Sequence, residues 1–342
     1  MNIPARQRGV ALIVVLLVFA ILYTIAIEVM YRQDRFRART QNMLEWDQRY
    51  QAALAVETIA VRGLQDDLEQ DLEDGARIDD CVEDQWAVRL PPTPYEGVVL
   101  SATVQDLQGR FNLNQVTRFE GNEFVQHEPG RRRLARLLAQ TLEDPGSAER
   151  LSWEMADWID SNTIVDGVEG AEDAEYRYRR TPNIPVAHES ELRALLSMEP
   201  DSVAPGAVFW GLFTALPLDF PLNLNTAPVP VLQAVLGDAE AAAMVAELRA
   251  EEAIDSVEAL MDEGLLGGLE DDEREQLAAE LGVSSNFFQV MVDVEQDGRR
   301  TRLVTRLYRS DDGGTRVFSR ELVPVMAPLE PPCNPLYNGD SD

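Results

Sequence analysis

The longest apolar run in the chain is residues 10–27, VALIVVLLVFAILYTIAI, which carries no charge and is ended by Glu28. As a helix it would span about 27 Å, close to the hydrocarbon thickness of a bilayer. From residue 31 to 73 there is no proline and one glycine, Gly63, while Leu54, Val61, Leu64, Leu68 and Leu72 recur at helical spacings between charges. The pattern predicts one helix over 10–73, roughly 90 Å long. Its first part would lie in a membrane and its outer half would pack an apolar stripe on a globular head.

Pro91-Pro92-Thr93-Pro94 then breaks the chain. Residues 98–104 alternate as a strand, 106–110 read as a turn, and Phe111-Asn112-Leu113 is expected to return beside that strand. Near the C-terminus Phe288, Val290, Val292 and Val294 share a face, and Asp297-Gly298 makes a tight turn. Residues 302–308, Asp312-Gly313-Gly314 and residues 315–325 complete a three-stranded antiparallel meander. The strands near 100 and after 287 should share one sheet, with an all-helical block inserted between them. Helices are expected over 131–142, 148–159, 189–196, 229–236, 239–250 and 270–281, with Ser190 and Thr226 as caps.

The chain has 342 residues, 60 acidic and 30 basic, for a formal charge of −30. A surface this acidic excludes nucleic-acid binding as a main task, because phosphates need basic partners. Every basic residue is arginine, so a P-loop lysine and a lysine Schiff base are absent. Segment 223–240 resembles a helix-hairpin-helix or SAM-like module. Its hairpin, Leu236-Gly237-Asp238-Ala239-Glu240, is acidic and lacks a second glycine for phosphate approach, which favours a structural role. The histidine pairs His127-Glu128 and His188-Glu189 fit no zinc motif, and there is no nucleophile elbow. They read as surface residues, and no enzyme signature emerges.

Two acidic segments stand out. Ten acids crowd residues 66–84 against one arginine, Arg77, and read as a solvated helix end. In residues 157–175, Asp157, Asp160, Asp166, Glu169, Glu172, Asp173 and Glu175 sit with Asn162 and no cation, on a stretch broken by Gly167 and Gly170. Seven like charges must be solvated or bridged by cations, and oxygen ligands on a glycine-containing loop are what calcium takes. Asp160 and Asn162 suit the first positions of an EF-hand, but Ile164 fails the third. Composition leaves a calcium loop and a solvated loop both open.

The N-terminal junction narrows the possibilities. A secretory signal peptide competes with a retained anchor, but the apolar run is long for one and Glu28-Val29-Met30-Tyr31 is a poor cleavage site. Arg32, Arg35, Arg37 and Arg39 outnumber Arg6 and Arg8, so charge counting alone would point to the opposite topology. Arg8-Gly9-Val10-Ala11-Leu12-Ile13-Val14 resembles the export signal of type IV pilins and pseudopilins. The resemblance implies a leader over 1–9, cleavage by a prepilin peptidase between Gly9 and Val10, and methylation of the new N-terminus. Most of that class carries glutamate at the fifth mature position, where this chain has Val14.

With Asp106-Leu107-Gln108-Gly109-Arg110-Phe111-Asn112-Leu113-Asn114, Asp157-Trp158-Ile159-Asp160, Gly170-Ala171-Glu172-Asp173 plus Tyr176, Ser190-Glu191-Leu192-Arg193 and Leu222-Asn223-Leu224-Asn225-Thr226-Ala227 in this order, the chain resembles the minor pseudopilin K family of type II secretion. Arg177 separates Tyr176 from Tyr178 where adjacent aromatics are expected. The resemblance implies an α+β fold: a pilin-like long N-terminal helix on a small antiparallel sheet, with a large all-α domain inserted between strands. The divisions would be leader 1–9, membrane part 10–28, periplasmic helix and first strands 29–114, inserted helical domain 115–285 and last strands 286–342. It also implies one or two structural calcium ions in the acidic loop, with Asp160, Asn162, Asp166, Glu169, Glu172 and Asp173 as the expected ligand set. The protein would be a non-catalytic subunit at the tip of a short periplasmic pseudopilus that exports folded proteins across the outer membrane. Its partners would be other minor pseudopilins, the pseudopilus and the inner-membrane assembly platform. It would be held in the inner membrane by one span, N-terminus cytoplasmic and bulk periplasmic. A signal-anchored periplasmic calcium-binding or adhesion protein, and a membrane-tethered hydrolase using the loop's metal, are the competing functions. In an oxidising periplasm the two cysteines, Cys81 and Cys333, are expected to pair, with two separate thiols as the alternative.

Overall fold

The computed structural model describes residues 7–142, 145–198, 207–262 and 270–333. Residues 1–6 of the expected leader and segments of the insert and tail lie outside these. Helix α1 (Gln7–Asp74) is unbroken for 68 residues, about 100 Å. Its N-terminal part has a mean hydropathy of 3.1 over eighteen residues, and none of that window is buried against the rest of the chain. Polar contact with the head begins at Asn42 and Glu45, which accept from Arg299 at 2.6 Å and 3.3 Å, and burial begins at Arg49. Ala53, Val56 and Leu64 then pack on Val98, Leu100, Val104, Phe288, Val290 and Val292. Leu68 is buried, but Leu72 is 58% exposed. Steps of four residues advance about 400°, so a stripe at i+4 spacing drifts off the sheet-facing side.

Strands β1 (Leu90–Tyr95) and β2 (Val98–Asp106) follow. The insert begins with the short strand β3 (Phe111–Asn112) and the hairpin β4 (Thr117–Glu120) and β5 (Glu123–Gln126). Helices α2 (Glu128–Thr141), α3 (Pro145–Ile159) and α4 (Ala207–Trp210) come next, then β6 (Phe213–Thr214) and β7 (Leu222–Asn223). Helices α5 (Val229–Leu236), α6 (Ala239–Glu251), α7 (Val257–Asp262) and α8 (Asp271–Ala279) lead to β8 (Leu281–Gly282). Strands β9 (Phe287–Gln296), β10 (Arg299–Arg309) and β11 (Thr315–Val323) close the chain.

The main sheet has five strands in the order β1-β2-β9-β10-β11, all antiparallel. The strand before the insert therefore pairs with the strand after it, Val104 opposite Val290. One face carries the alternating valines against α1. The other carries Gln105, Gln289, Arg302 and Arg306, and is crossed by the chain after β11. Arg302 donates to the Ala327 carbonyl at 2.8 Å and Gln105 to the Pro331 carbonyl at 2.9 Å. Cys333 then reaches Cys81 beyond the end of α1, with the two joined in a disulfide and their Cα atoms 6.0 Å apart. The tail is thus a strap across the polar face of the sheet.

The insert has its own apolar core, built from Leu134, Leu137, Met155, Phe213, Leu232 and Val245 among others. Several details differ from the sequence expectations. Residues 90–95, read as a break, form an edge strand, because at an edge the missing proline donors face outward and cost the ladder nothing. Phe111–Asn112 pairs in parallel with Phe213–Thr214 inside the insert, not with β2. The hairpin of β4 and β5 was not anticipated. Residues 189–196 wind as tighter 3-10 turns, Glu189–Ala194 and Leu196–Met198, not as an α-helix. There the cap is His188, whose Nδ1 accepts from the Ser190 amide at 3.1 Å. Thr226 does not cap α5, which starts after Pro228; its hydroxyl is committed elsewhere. Both histidines are half-buried, and the His127 ring lies 3.1 Å from the Gln115 carbonyl.

Candidate functional site

The acidic loop begins on the last turns of α3. Asp157 and Asp160 are three residues apart, which puts both carboxylates on one side of the helix end, and both are fully buried. The chain leaves the helix, turns through Asn162 and comes back so that the Asp166 amide donates to Asp157 Oδ1 at 3.2 Å. Carboxylate oxygens of Asp157, Asp160 and Asp166 lie within 4.8 Å of one another. Burial pushes the carboxyls of Asp157 and Asp160 up to about 7, and the neighbouring charges of Asp166 and Glu172 add to it. Glu172, 2% exposed, is shifted upward chiefly by burial too.

Two features of this pocket fit a hard cation. Asp160 Oδ2 and Glu172 Oε1 are buried acceptors with no hydrogen-bond donor among the described residues. Gly170 closes the loop against Asp157: a Cβ there would sit 2.3 Å from Asp157 Oδ2 and 2.4 Å from the Asp166 carbonyl oxygen. Only glycine lets the loop approach so near, and the approach sets a backbone carbonyl beside the carboxylates. An oxygen-only donor set of this kind suits a hard cation such as calcium. Asp157, Asp160, Asp166 and the Asp166 carbonyl are the groups that would hold the ion, with Glu172 alongside.

Asp157 is missing from the ligand set expected from sequence; its three-residue spacing to Asp160 was the available signal. Asn162 turns its Oδ1 to the Ile164 amide at 2.7 Å. Glu169 is paired with Arg150 at 2.7 Å on the outside of the loop. Asp173 is exposed and accepts from the Thr181 amide at 3.0 Å. Thr181 also donates to Glu172 Oε2 at 2.7 Å, which fixes the far side of the loop.

A second acidic group, Asp67, Asp79 and Asp84, lies where α1 meets the head. It already contains a cation. The fully buried Arg309 is ion-paired to Asp79 and, at 3.2 Å, to Asp67, and donates to the Leu64 carbonyl. The segment 66–84, expected as a solvated helix end, is therefore partly a buried polar joint. Burial raises Asp84 to about 8 and Asp67 to about 7, with nearby aspartates contributing in each case.

Two segments of the insert also bind the head. Asp106 Oδ2 accepts from the hydroxyls of Thr226 at 2.5 Å and Ser285 at 2.6 Å and from Asn223 Nδ2 at 3.1 Å. On the polar face of the sheet, Arg306 and Glu189 make a buried two-point pair, Nη1 to Oε2 at 2.9 Å.

Comparison with known proteins agrees with this architecture. The family described as Type II secretion system (T2SS), protein K, matches residues 109–205 and again residues 222–284. The type II secretion system protein K of Pseudomonas aeruginosa is 33% identical over 333 residues, covering 92% of this chain and 93% of that protein. That of Pectobacterium carotovorum is 30% identical, covering 68% and 71% of the two chains. A chain in the crystal structure of the GspK-GspI-GspJ complex from enterotoxigenic Escherichia coli superposes with a TM-score of 0.68 at 20% identity, over 84% of this chain and 99% of that one. A relationship of this strength over nearly all of both chains, together with the shared fold, places the chain in the type II secretion system protein K family.

Proposed function

We propose that the protein is the minor pseudopilin at the tip of a type II secretion pseudopilus and serves protein export as a structural subunit without catalysis. The carrying observation is the full-length relationship to protein K of P. aeruginosa, joined to an exposed apolar helix continuous with the head. The partners are the other minor pseudopilins, a reading supported by the fold shared with a chain of the GspK-GspI-GspJ complex. A prepilin peptidase cuts after Gly9 and Val10 becomes the methylated N-terminus. Residues 10–27 hold the subunit in the inner membrane with the head in the periplasm, beside the assembly platform. The buried carboxylates of Asp157, Asp160 and Asp166 take a structural calcium ion that neutralises the loop.

The bulk of the insert supports the end position. It is a second body with its own core, joined to the sheet of the head at Asp106 and Arg306, and it adds bulk beside a helix that in a fibre must pack among its neighbours. The test is deletion of the gene in its own host, followed by complementation. Loss of secreted protein in the culture medium, with normal amounts retained in the periplasm, is expected. Complementation with the Gly9→Val chain should fail. Undiminished secretion in the deletion strain defeats the reading.

A further inference from the structure

We infer that Arg32, Arg35, Arg37 and Arg39 form a docking surface for the headgroups of anionic phospholipids in the leaflet on the C-terminal side of the membrane span. This rests on residues 10–27 crossing the membrane. The chain has twice as many acids as bases, yet four arginines fall within eight residues here, and between Asp34 and Glu45 there is no acid at all. Glu28 pairs with Arg32 at 2.6 Å, but both groups are more than half exposed, and such a pair holds little. Among the described residues no carboxylate is ion-paired with Arg35, Arg37 or Arg39. Arg35 instead lies over the Tyr31 ring, 5.6 Å from its centre.

The geometry suits a lipid surface. Arg32 starts about 7 Å beyond the apolar run and Arg39 about 18 Å beyond it, at 1.5 Å per residue. The headgroup layer adds about 5–7 Å to each side of the hydrocarbon. Side chains on a helix lean toward its N-terminus, which here is toward the membrane, so the Arg32 and Arg35 guanidinium groups reach back to the phosphates, while those of Arg37 and Arg39 stay within about a Debye length of them. A tilt of about 20°, ordinary for a spanning helix, lowers one side further. Arg32, Arg35 and Arg39 lie within about 60° of one another around the axis, while Arg37 and Asp34 face the other side. Exposed Tyr31, at 58%, supplies the aromatic contact common at that depth. Guanidinium groups bind phosphate oxygens two at a time, which suits phosphodiester headgroups.

A phospholipid fits better than an acidic protein segment because the helix is exposed all round here and offers no groove. The surface is also continuous with the span. Its role is to hold the subunit at a set depth and resist premature extraction from the bilayer.

The test uses the full-length protein in phosphatidylcholine vesicles containing trace spin-labelled phosphatidylglycerol or spin-labelled phosphatidylcholine. Electron paramagnetic resonance reads the fraction of each lipid immobilised by protein. The expected result is a preference for phosphatidylglycerol of about fivefold or more, the factor expected for one arginine near an anionic surface. It should shrink in high salt and vanish when Arg32, Arg35, Arg37 and Arg39 are all changed to glutamine. Equal immobilisation of the two lipids overturns the inference, as does a preference the glutamine variant keeps. If the variant instead loses association with neighbouring subunits while lipid selectivity is absent throughout, the arginines serve a protein partner and the inference falls. A chain that does not enter the vesicles overturns the span as well, which separates the two failures.

Discussion

The Thr226 hydroxyl donates to Asp106 at 2.5 Å across 120 residues of intervening chain, joining the last residue of β2 to the approach to α5. Beside this bond Gly109 lies so close to Thr226 that a Cβ would stand 2.5 Å from its Oγ1 and 2.9 Å from its carbonyl carbon and oxygen. The two segments are thereby locked together. Gly109→Ala must displace backbone as well as side chain, and overpacking of that kind costs about 1–3 kcal/mol or more. The soluble head carrying Gly109→Ala should melt several degrees lower than the parent. Gly298→Ala, where no atom lies within 4 Å, tests the positive-φ penalty alone, since φ there is +75°. Calorimetry of both variants separates steric conflict from strain.

The strap over the polar face of the sheet makes a second prediction. The cysteines are 252 residues apart in sequence, so the bond closes a very long loop. In the chain-entropy model such a closure contributes up to about 5 kcal/mol, with engineered bonds often giving less. Cys333→Ser should lower the melting temperature and, more locally, release residues 324–333. Hydrogen exchange of the Gln289 and Arg302 region should rise before that of the α1-facing valines. Labelling of the unreduced, denatured parent should find no free thiol; two per chain would refute the pairing.

The alternation of Val98 to Val104 and of Phe288 to Val294 was legible because each strand has one wholly apolar face against α1. Long-range polar geometry was not legible. Nothing local to Asp106 announces that it accepts from Thr226, Ser285 and Asn223, and nothing local to Thr226 says it is not a cap. The β1 strand was hidden because proline propensity is averaged over all strands, whereas edges tolerate it. In the acidic loop, composition marked the segment but not which of its carboxylates come together. Which carboxylates converge depends on Gly170 and on Arg150 drawing Glu169 outward.

That convergence leads to the metal prediction. Binding of calcium to the folded state alone stabilises it by mass action, about 2.7 kcal/mol at one hundred times the dissociation constant. A chelator should therefore lower the melting temperature of the head by several degrees, and calcium should restore it. Asp160→Asn with Asp166→Asn should abolish the response while leaving a folded head. Glu169→Ala should leave it nearly intact. A melting curve indifferent to chelator and calcium refutes the metal.

The joint under α1 should make stability depend on pH. Asp84 and Asp67 have folded-state values of about 8 and 7 against an ordinary 3.8, burial being the main cause and neighbouring aspartates the next. A carboxyl whose pKa is raised on folding binds its proton more readily in the folded state. Its penalty is therefore full above the folded value and is relieved as pH falls through it. Glu57 and Glu189 run the other way: despite the opposing cost of burial, their arginine bonds lower them. Their contribution is present above about 4.5 and lost below. Stability should rise from pH 8 toward about pH 5 and fall beyond it. Asp84→Asn, which can still accept from Trp86 Nε1, should flatten the alkaline limb and raise the melting temperature at pH 8 by about 2–4 °C. A parent head whose stability is level from pH 5 to 8 contradicts this.

Val14 carries the last prediction. A carboxylate in a membrane helix costs about 3 kcal/mol unless something neutralises it. In pilin-like assemblies the resemblance implies that a glutamate at the fifth mature position is neutralised by the N-terminal amine of the subunit already in the fibre, so each subunit enters beneath another. Val14 offers no carboxylate and bears no such cost, which suits a subunit that enters first with nothing above it. The separately cored insert agrees with an end position, since a bulky side body there obstructs no neighbour stacked over it. Immunogold labelling should mark fibre ends only, and the number of copies should be far below that of the major subunit. Val14→Glu should reduce fibre initiation and secretion, because the new carboxylate finds no amine above it. Label along the shaft, or full secretion with Val14→Glu, would place the subunit elsewhere in the fibre.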